Sequence, residues 1–395
     1  MKISKLHVVI NGWLFLISLS SFYFYGLNIS LPPLIAAVFS LAAMPILLKR
    51  QIAKELVSLG FLFAFIVYLT VFGVILILVG EDLLINRFFA MPLFVGVVIS
   101  SVFFLVHDRK VFASSIKFVI CAHLFAFYIQ AISYYAGFGF IDYLQAVTGE
   151  EQRAFGGGYG IDFLGGLFLR PTGLYNEPGT YSTAMMLMFL LYERIKKSVV
   201  DEKSNKELLL TIFVIFSVLI SFSVFGLVFV FIYVANLIRD SEKSFLIFFL
   251  IVLVIAPIVY EVYLFPRFFS GQYSDDGIGF RSQILYDYLD LISKNPMNLL
   301  FGFGFFSDIT IWFGDSVTND VGLFFSVLLQ TGVVGFGLFL ICIFGKRGLS
   351  RKNISLVLIF GLCKISMTTM LFWLVFTAIA MFNYSKIYNP RNKLR

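Results

Sequence analysis

Charge is scarce in this chain: Asp, Glu, Lys and Arg together make up 13% of 395 residues, about half of what a water-soluble domain carries. Histidine is scarcer, at three residues (His7, His107, His123), and no two are spaced to ligate a metal. The three cysteines, Cys121, Cys342 and Cys363, all fall in apolar runs. Neither a disulfide framework nor a metal site follows from them. Alternating ten-residue segments are absent, which argues against an outer-membrane barrel. The basic start, Met1 to Lys5, leads into a long apolar run with no small-residue cleavage site. That run is expected to stay as a first helix rather than to be removed as a signal peptide.

What the chain has in abundance is apolar residues, 59% of the total, with a mean hydropathy of +0.93. They come in runs, several of which reach the roughly 18 to 25 residues that cross a bilayer as a helix. The 50 phenylalanines fit lipid-facing positions, where Phe, Leu, Ile and Val are interchangeable. The chain reads as one polytopic all-α membrane domain over residues 1–395. It has about 12 transmembrane helices, near 8–26, 30–48, 56–79, 84–106, 111–137, 178–193, 207–222, 223–238, 244–265, 320–344, 352–364 and 367–385. Two stretches, Glu207 to Ile238 and Asn353 to Tyr384, are too long for single spans. Each is expected to fold as a hairpin, around Ser221–Ser223 and Lys364–Ser366 respectively.

Orientation follows from Lys and Arg in short loops. With the N-terminus inside, one face collects Lys2 and Lys5; Lys49, Arg50 and Lys54; Arg109 and Lys110; Arg194, Lys196, Lys197, Lys203 and Lys206; Arg239 and Lys243; Lys346, Arg347, Arg351 and Lys352; and Lys386, Arg391, Lys393 and Arg395. These are most of the 30 basic residues. The net charge of +7 is thus assigned to cytoplasmic loops rather than to a nucleic-acid surface, and both termini are expected in the cytoplasm. Two long segments, 138–177 and 266–319, fall outside, and such loops are usually functional or disordered. Their content of Gly and aromatic residues favours order. Within the second, 280–293 has the spacing of a short amphipathic helix lying on the outer membrane surface, stopped by Asn295-Pro296.

The outer basic residues are mainly arginines: Arg87, Arg153, Arg170, Arg267 and Arg281, against Lys294 and Lys364. A guanidinium binds phosphate oxygens as a planar fork and stays charged beside a membrane, so the cluster points to a diphosphate or similar polyanion. Arg170 opens the run Arg170-Pro171-Thr172-Gly173-Leu174-Tyr175-Asn176-Glu177-Pro178, in which Tyr175, Asn176 and Glu177 are candidate site residues. Pro178 presets a helix start, and Glu177 before it complements the positive helix end. The same carboxylate at an outer helix mouth is placed to deprotonate a hydroxyl. A second run holds Arg281, Asn295-Pro296, Gly302-Phe303-Gly304, then Asn319-Asp320 and Gly332-Val333-Val334-Gly335. Asp320 has the same two readings, cap or base. Gly302-Phe303-Gly304 follows no strand and faces outward, so it is not a nucleotide fingerprint. His7 and His107 are expected on the cytoplasmic side and His123 mid-helix, leaving no histidine base for an outer site.

These two runs together resemble the O-antigen polymerase and O-antigen ligase superfamily of bacterial surface-glycan enzymes. The resemblance is carried by Arg-x-x-Gly-x-x-x-(Asn/Glu)-Pro at Arg170 to Pro178, then by Arg281, Asn295-Pro296, Gly302-x-Gly304, the polar pair Asn319-Asp320 and Gly332-x-x-Gly335. It implies a type C glycosyltransferase fold in the bacterial inner membrane, needing no metal, nucleotide or other cofactor. The implied donor and acceptor are undecaprenyl-diphosphate-linked glycans, with a chain-length regulator protein as a possible partner. Arg170 and Arg281, with Arg87 and Arg267, would bind the diphosphate. Ligases of the family carry a histidine just before the helix that follows the second loop; here Thr318-Asn319-Asp320 stands there. This favours a polymerase over a ligase and leaves the base open between Glu177 and Asp320. A lipid-linked glycan flippase or transporter is the reading from another class. It is disfavoured because the sequence shows no two similar halves and few mid-helix charges.

Overall fold

The computed structural model describes residues 5–24, 27–47, 50–79, 85–154, 161–163, 166–199, 205–238, 277–307, 321–345 and 354–384. The described chain is almost wholly helical. In chain order it forms α1 (Lys5–Ser18), the ribbon β1 (Tyr23–Phe24) and β2 (Leu27–Ser30), α2 (Leu31–Leu47), α3 (Arg50–Ser58), α4 (Gly60–Val79), α5 (Ile85–His107), α6 (Arg109–Tyr135) and α7 (Gln145–Thr148). A second ribbon follows, β3 (Ile161–Phe163) and β4 (Gly166–Phe168), then α8 (Pro178–Lys197), α9 (Asn205–Ile220) and α10 (Val224–Ile238). The last elements are α11 (Gly277–Lys294), α12 (Met297–Phe301), α13 (Leu323–Phe344), α14 (Ile354–Leu362) and α15 (Met370–Tyr384). Both ribbons are antiparallel. The helix expected at 244–265 lies outside the described residues.

Three of the described helical segments are long and apolar enough to cross a membrane: Arg87–His107, Arg109–Tyr135 and Leu323–Phe344. Shorter apolar helices include Lys5–Ser18, Leu31–Pro45, Gly60–Leu76, Glu207–Ile220 and Val224–Ile238.

The two expected breaks are present. α9 ends at Ile220 and α10 starts at Val224, around the turn Ser221–Ser223. α14 and α15 are separated at Cys363–Thr369, and Phe360 returns against Phe372 at 5.6 Å. Asn295-Pro296 does end α11, with the Asn295 amide Oδ1 accepting from the Met297 N–H. That helix buries Ile284 and Tyr288 but leaves Leu285 exposed, so its covered face is narrower than its apolar pattern.

Two helices differ from expectation. The first stops at Ser18 and not near 26, where serine side chains offer the backbone other partners. Ser18 Oγ donates to Phe15 O, and Ser30 Oγ reaches back to Leu19 O at 3.0 Å. Arg50–Ser58, expected as loop up to 55 and as the start of the next helix from 56, form their own amphipathic helix ahead of α4. Ser58 Oγ bonds Glu55 O, and the chain breaks at Leu59.

The described chain divides into two compact units. The first comprises Met1–Cys121, Leu187–Lys203 and Asp287–Arg395; the second comprises Ala122–Met186 and Ser204–Tyr286. In the first, α15 is buried along its length from Met370 to Asn383, as befits a helix apolar all round. Trp373 stacks on Phe94 at 5.3 Å, and Phe376 meets Phe65 and Phe339 at 5.7 and 5.0 Å. α2 and α5 pack closely where Gly96 lets the Leu41 backbone approach; a Cβ there would come within 3.0 Å of it. The outward sides of several helices stay apolar. Val67, Val71, Ile75 and Leu78 of α4, and Leu208, Ile212 and Phe216 of α9, are exposed.

Candidate functional site

In the second unit, the segment from Leu169 to Pro178 is held by two glutamine side chains. Gln130, buried on α6, accepts from the backbone N–H groups of Thr172 and Gly173 at 2.8 and 3.0 Å. Its amide nitrogen donates to Ile141 O and to Gln152 Oε1. Gln152, equally buried, donates to Thr172 Oγ1, Gly173 O and Tyr175 O, at 3.0, 2.7 and 2.8 Å. Asp142 fixes Gln152 in turn, accepting its N–H, while its other oxygen takes those of Leu144 and Gln145 at the start of α7. A buried, satisfied amide network rigidifies the backbone it holds, and this one ties Thr172, Gly173 and Tyr175 to α6 and to Gln152. Gly173 sits against Phe127 with φ +55, a conformation in which a side chain would be strained although a Cβ would find ordinary contact there.

Arg170 lies at the upstream end of this segment and is 4% exposed. Its Nη2 donates to the carbonyl of Phe222 at 3.2 Å, in the turn between α9 and α10. Phe222 has φ 47, the only positive φ outside glycine among the described residues. Serines line that turn. Ser223 Oγ accepts the Gly226 N–H and so caps α10. Ser182 Oγ of α8 lies 2.8 Å from Ser221 Oγ. Ser182 also contacts Pro178 O, and Ser221 contacts Val218 O, so two hydroxyl protons serve three contacts. Gly226 permits the close approach, since a Cβ there would lie 2.9 Å from Ser182 Oγ. The early turns of α8 and α10 therefore meet at the turn that Arg170 touches. Helix N-termini carry partial positive charge; at α8 the Glu177 side chain bonds Thr180 in the first turn, and at α10 Ser223 Oγ caps the Gly226 N–H.

Glu177 is half-buried, one residue before α8. Its carboxylate accepts from Thr180 Oγ1 at 3.1 Å and its carbonyl from the Tyr181 N–H, the geometry of a helix start. The Asn176 carbonyl accepts from the Arg153 N–H at 2.7 Å. Tyr175 points inward and is fully buried. It stacks on His123 at 5.1 Å and meets Tyr181 edge-on at 6.1 Å. Burial pushes its phenol well above the ordinary value. His123 is buried mid-helix, as expected, but it does touch the candidate segment through Tyr175. Gln130 and Gln152 are not singled out by sequence reasoning, and Ser221–Ser223 is read there as a hairpin break and not as part of a site. A lone glutamine in an apolar run (Gln130) was the one available signal.

In the first unit, the glycine motifs of the second run interlock. α13 is broken at Gly332 (φ 61, ψ −172). Its displaced carbonyls are taken up by Phe303 N–H on Leu329 O, Gly304 N–H on Gln330 O and Tyr68 OH on Thr331 O, at 2.9, 3.0 and 2.7 Å. A Cβ on Gly302 would fall 2.5 Å from the backbone of Gln330 to Gly332, and one on Gly332 would fall 2.4 Å from Leu300 and Gly302. Gly302-Phe303-Gly304 is thus a packing element fitted to a helix break. Arg87 directs Nη1 to the carbonyls of Phe305 and Ser307, at 3.1 and 3.3 Å, and holds the chain just beyond it. Arg281 lies in the first turns of α11. Arg267, Asn319 and Asp320 lie outside the described residues. Among the described residues no group of three His, Cys, Asp or Glu side chains gathers as a metal site.

Compared with protein-family models, with curated proteins and with solved structures, the chain matches none.

Proposed function

We propose that this chain is a polytopic inner-membrane glycosyltransferase that polymerises undecaprenyl-diphosphate-linked oligosaccharide units on the outer face. The observation that carries the reading is the corner at Arg170. A buried arginine with Nη2 on the Phe222 carbonyl lies beside the first turns of α8 and α10, inside the segment that resembles the polymerase motif. Burying a guanidinium is costly unless an acceptor or anion compensates, and two helix starts favour the same ligand charge. The membrane setting is supported by the exposed apolar sides of α4 and α9, which water would penalise and lipid would not.

In the proposed reaction, an acceptor hydroxyl attacks the anomeric carbon of the growing chain. A new carbon–oxygen bond forms there as the bond to the diphosphate breaks. The electron pair leaves with the diphosphate, which Arg170 and Arg281 stabilise as its charge develops. The hydroxyl proton passes to Glu177 or Asp320. Attack opposite the leaving group inverts the anomeric configuration. Arg87, with Nη1 on two carbonyls, supports the second loop rather than the diphosphate.

The test is the surface-glycan ladder of cells carrying Arg170→Ala, Arg281→Ala, Glu177→Gln or Asp320→Asn, with each variant verified in membranes at normal level. Collapse to single repeat units supports the polymerase. A full-length but unattached ladder supports a ligase. One observation favours the flippase reading: α13 is interrupted mid-course, as transporter helices often are. Its three displaced carbonyls, however, are already taken by Phe303, Gly304 and Tyr68 and are not offered to a substrate. Lipid-linked units accumulating on the cytoplasmic side would establish the flippase instead.

A further inference from the structure

Phe301, the last residue of α12, stacks on Phe72 of α4 at 5.9 Å, and its carbonyl accepts from Tyr68 OH at 3.3 Å. From Phe72, α4 runs on for seven residues to Val79, about 10 Å of helix. Phe305 meets Phe94 of α5 at 6.3 Å. Phe94 lies seven residues inside the apolar span Arg87–His107, again about 10 Å from the Arg87 end. By either helix, the stretch from Phe301 to Phe305 sits well inside the apolar length and not at its end. No charged side chain stands between Lys294 and Asp308. Four of the five α12 residues, Met297, Leu299, Leu300 and Phe301, are apolar and from 38 to 61% exposed. Their surface continues past Phe72 to exposed Val71 of α4, and past Gly332, which abuts the Leu300 backbone, to exposed Val333 of α13.

The backbone here is supplied from within the protein. The N–H groups of Met297, Asn298 and Leu299 go to Asn295 Oδ1, Asn295 O and Pro296 O, and those of Gly302, Phe303 and Gly304 to the carbonyls of Asn298, Leu329 and Gln330. Arg87 serves the carbonyls of Phe305 and Ser307. A loop in water has no need of this, whereas backbone at membrane depth must find its partners inside the protein. We infer that α12 is the bottom of a re-entrant loop that dips into the bilayer from the Arg87 side, with Met297, Leu299 and Leu300 against lipid acyl chains, a reading that needs the membrane setting proposed above but not the phosphate chemistry. Water penalises a contiguous apolar patch of this kind, and lipid does not. The exposed Asp290–Lys294 pair marks the last charge before the dip, and the long stem of Lys294 lets its ammonium reach the headgroups. The segment 266–319, expected outside, thus lends part of its length to the membrane domain, and the contact of Gly302 with Gly332 is made within the hydrocarbon.

The test uses the full chain in phospholipid nanodiscs, with Cys121→Ser, Cys342→Ala and Cys363→Ala removing the native thiols. Nitroxide labels are placed singly at Met297→Cys and Leu300→Cys, at Val71→Cys as the lipid-facing reference and at Glu150→Cys, exposed in the first long loop, as the aqueous one. Each variant is first checked to be monodisperse, and two α12 positions guard against one label disturbing the fold. Collisions with molecular oxygen, which dissolves in lipid, and with a water-soluble nickel chelate are read by electron paramagnetic resonance. The expected result is that labels at 297 and 300 behave as the label at 71, relaxed by oxygen and showing a loss of the nickel effect seen at 150. Nickel access at 297 and 300 with none at 71 overturns the dip and leaves the membrane reading standing. Nickel access at 71 as well overturns the membrane reading and the dip together. Exclusion of both reagents at 297 and 300 means that protein, such as a second copy of the chain, covers α12, and overturns the lipid contact.

Discussion

Gly302 and Gly332 pack backbone against backbone, so closely that a methyl group on either would come within 2.5 Å of the other's peptide. Both also hold positive φ, 76 and 61. An alanine at either position thus meets a clash with unyielding backbone and a strained conformation at once, the strain alone costing about 1–2 kcal/mol. Gly302→Ala and Gly332→Ala should each reduce the folded, monodisperse fraction in detergent and lower its melting temperature by several degrees. Gly337, in open space on the same helix, is the control, and Gly337→Ala should behave as wild type.

Removing either glutamine of the clasp strands several buried backbone groups. Gln152→Leu and Gln130→Leu should each destabilise the loop by about 2–3 kcal/mol, the cost of unsatisfied buried polar groups. The double variant should cost less than the sum, since the two share one network. Tryptic cleavage after Arg153, whose N–H is tied to the Asn176 carbonyl, reads the loop directly. Additive effects would mean that the two amides act separately.

Arginine and lysine should not be interchangeable at the proposed phosphate positions. Arg170→Lys and Arg281→Lys retain charge but lose the fork, and each should shorten the glycan ladder markedly at normal membrane level. Normal polymerisation by both variants would refute the phosphate-fork idea.

For Glu177, cap and base make opposite forecasts for one substitution. Glu177→Gln keeps an acceptor for Thr180 Oγ1 but removes the basic carboxylate. If the residue is the base, transfer should fall by about 10²- to 10⁴-fold with the melting temperature unmoved. A variant that polymerises normally would leave the cap as its whole role and turn attention to Asp320.

Tyr175 carries a hydroxyl that is fully buried and without a hydrogen-bond partner among the described residues. Tyr175→Phe removes a desolvated group and leaves the stack on His123. It should be neutral or stabilising by up to about 1 kcal/mol and should leave polymerisation intact, as checked by melting temperature and ladder. Lost activity would instead give this phenol a part in substrate contact.

The helices were legible wherever apolar runs were long and bounded, as for α5 and α6, and both hairpin breaks were betrayed by serine or lysine inside the run. The early end of α1 was not, because Ser18 and Ser30 act through side-chain bonds to the backbone that hydropathy does not register. Arg170 and Glu177 stood out as charges in odd places. What surrounds them did not, because the clasp joins α6 to a residue 22 positions away and the turn at Phe222 joins a residue 52 positions away. Such pairings leave no local period. The paired glycines were visible as motifs, but their mutual contact is a property of two distant backbones.

The Gln130–Gln152 clasp is built from amides, which neither gain nor lose protons at any pH a cell surface meets, and whose bonds are not weakened by screening ions as ion pairs are. The bonds that these two amides make to each other and to the backbone of Thr172, Gly173 and Tyr175 therefore keep their strength through acid shock and changes in salinity. Adaptation of this protein to a different habitat would then be expected to alter the charged residues around the loop and to leave the two glutamines in place.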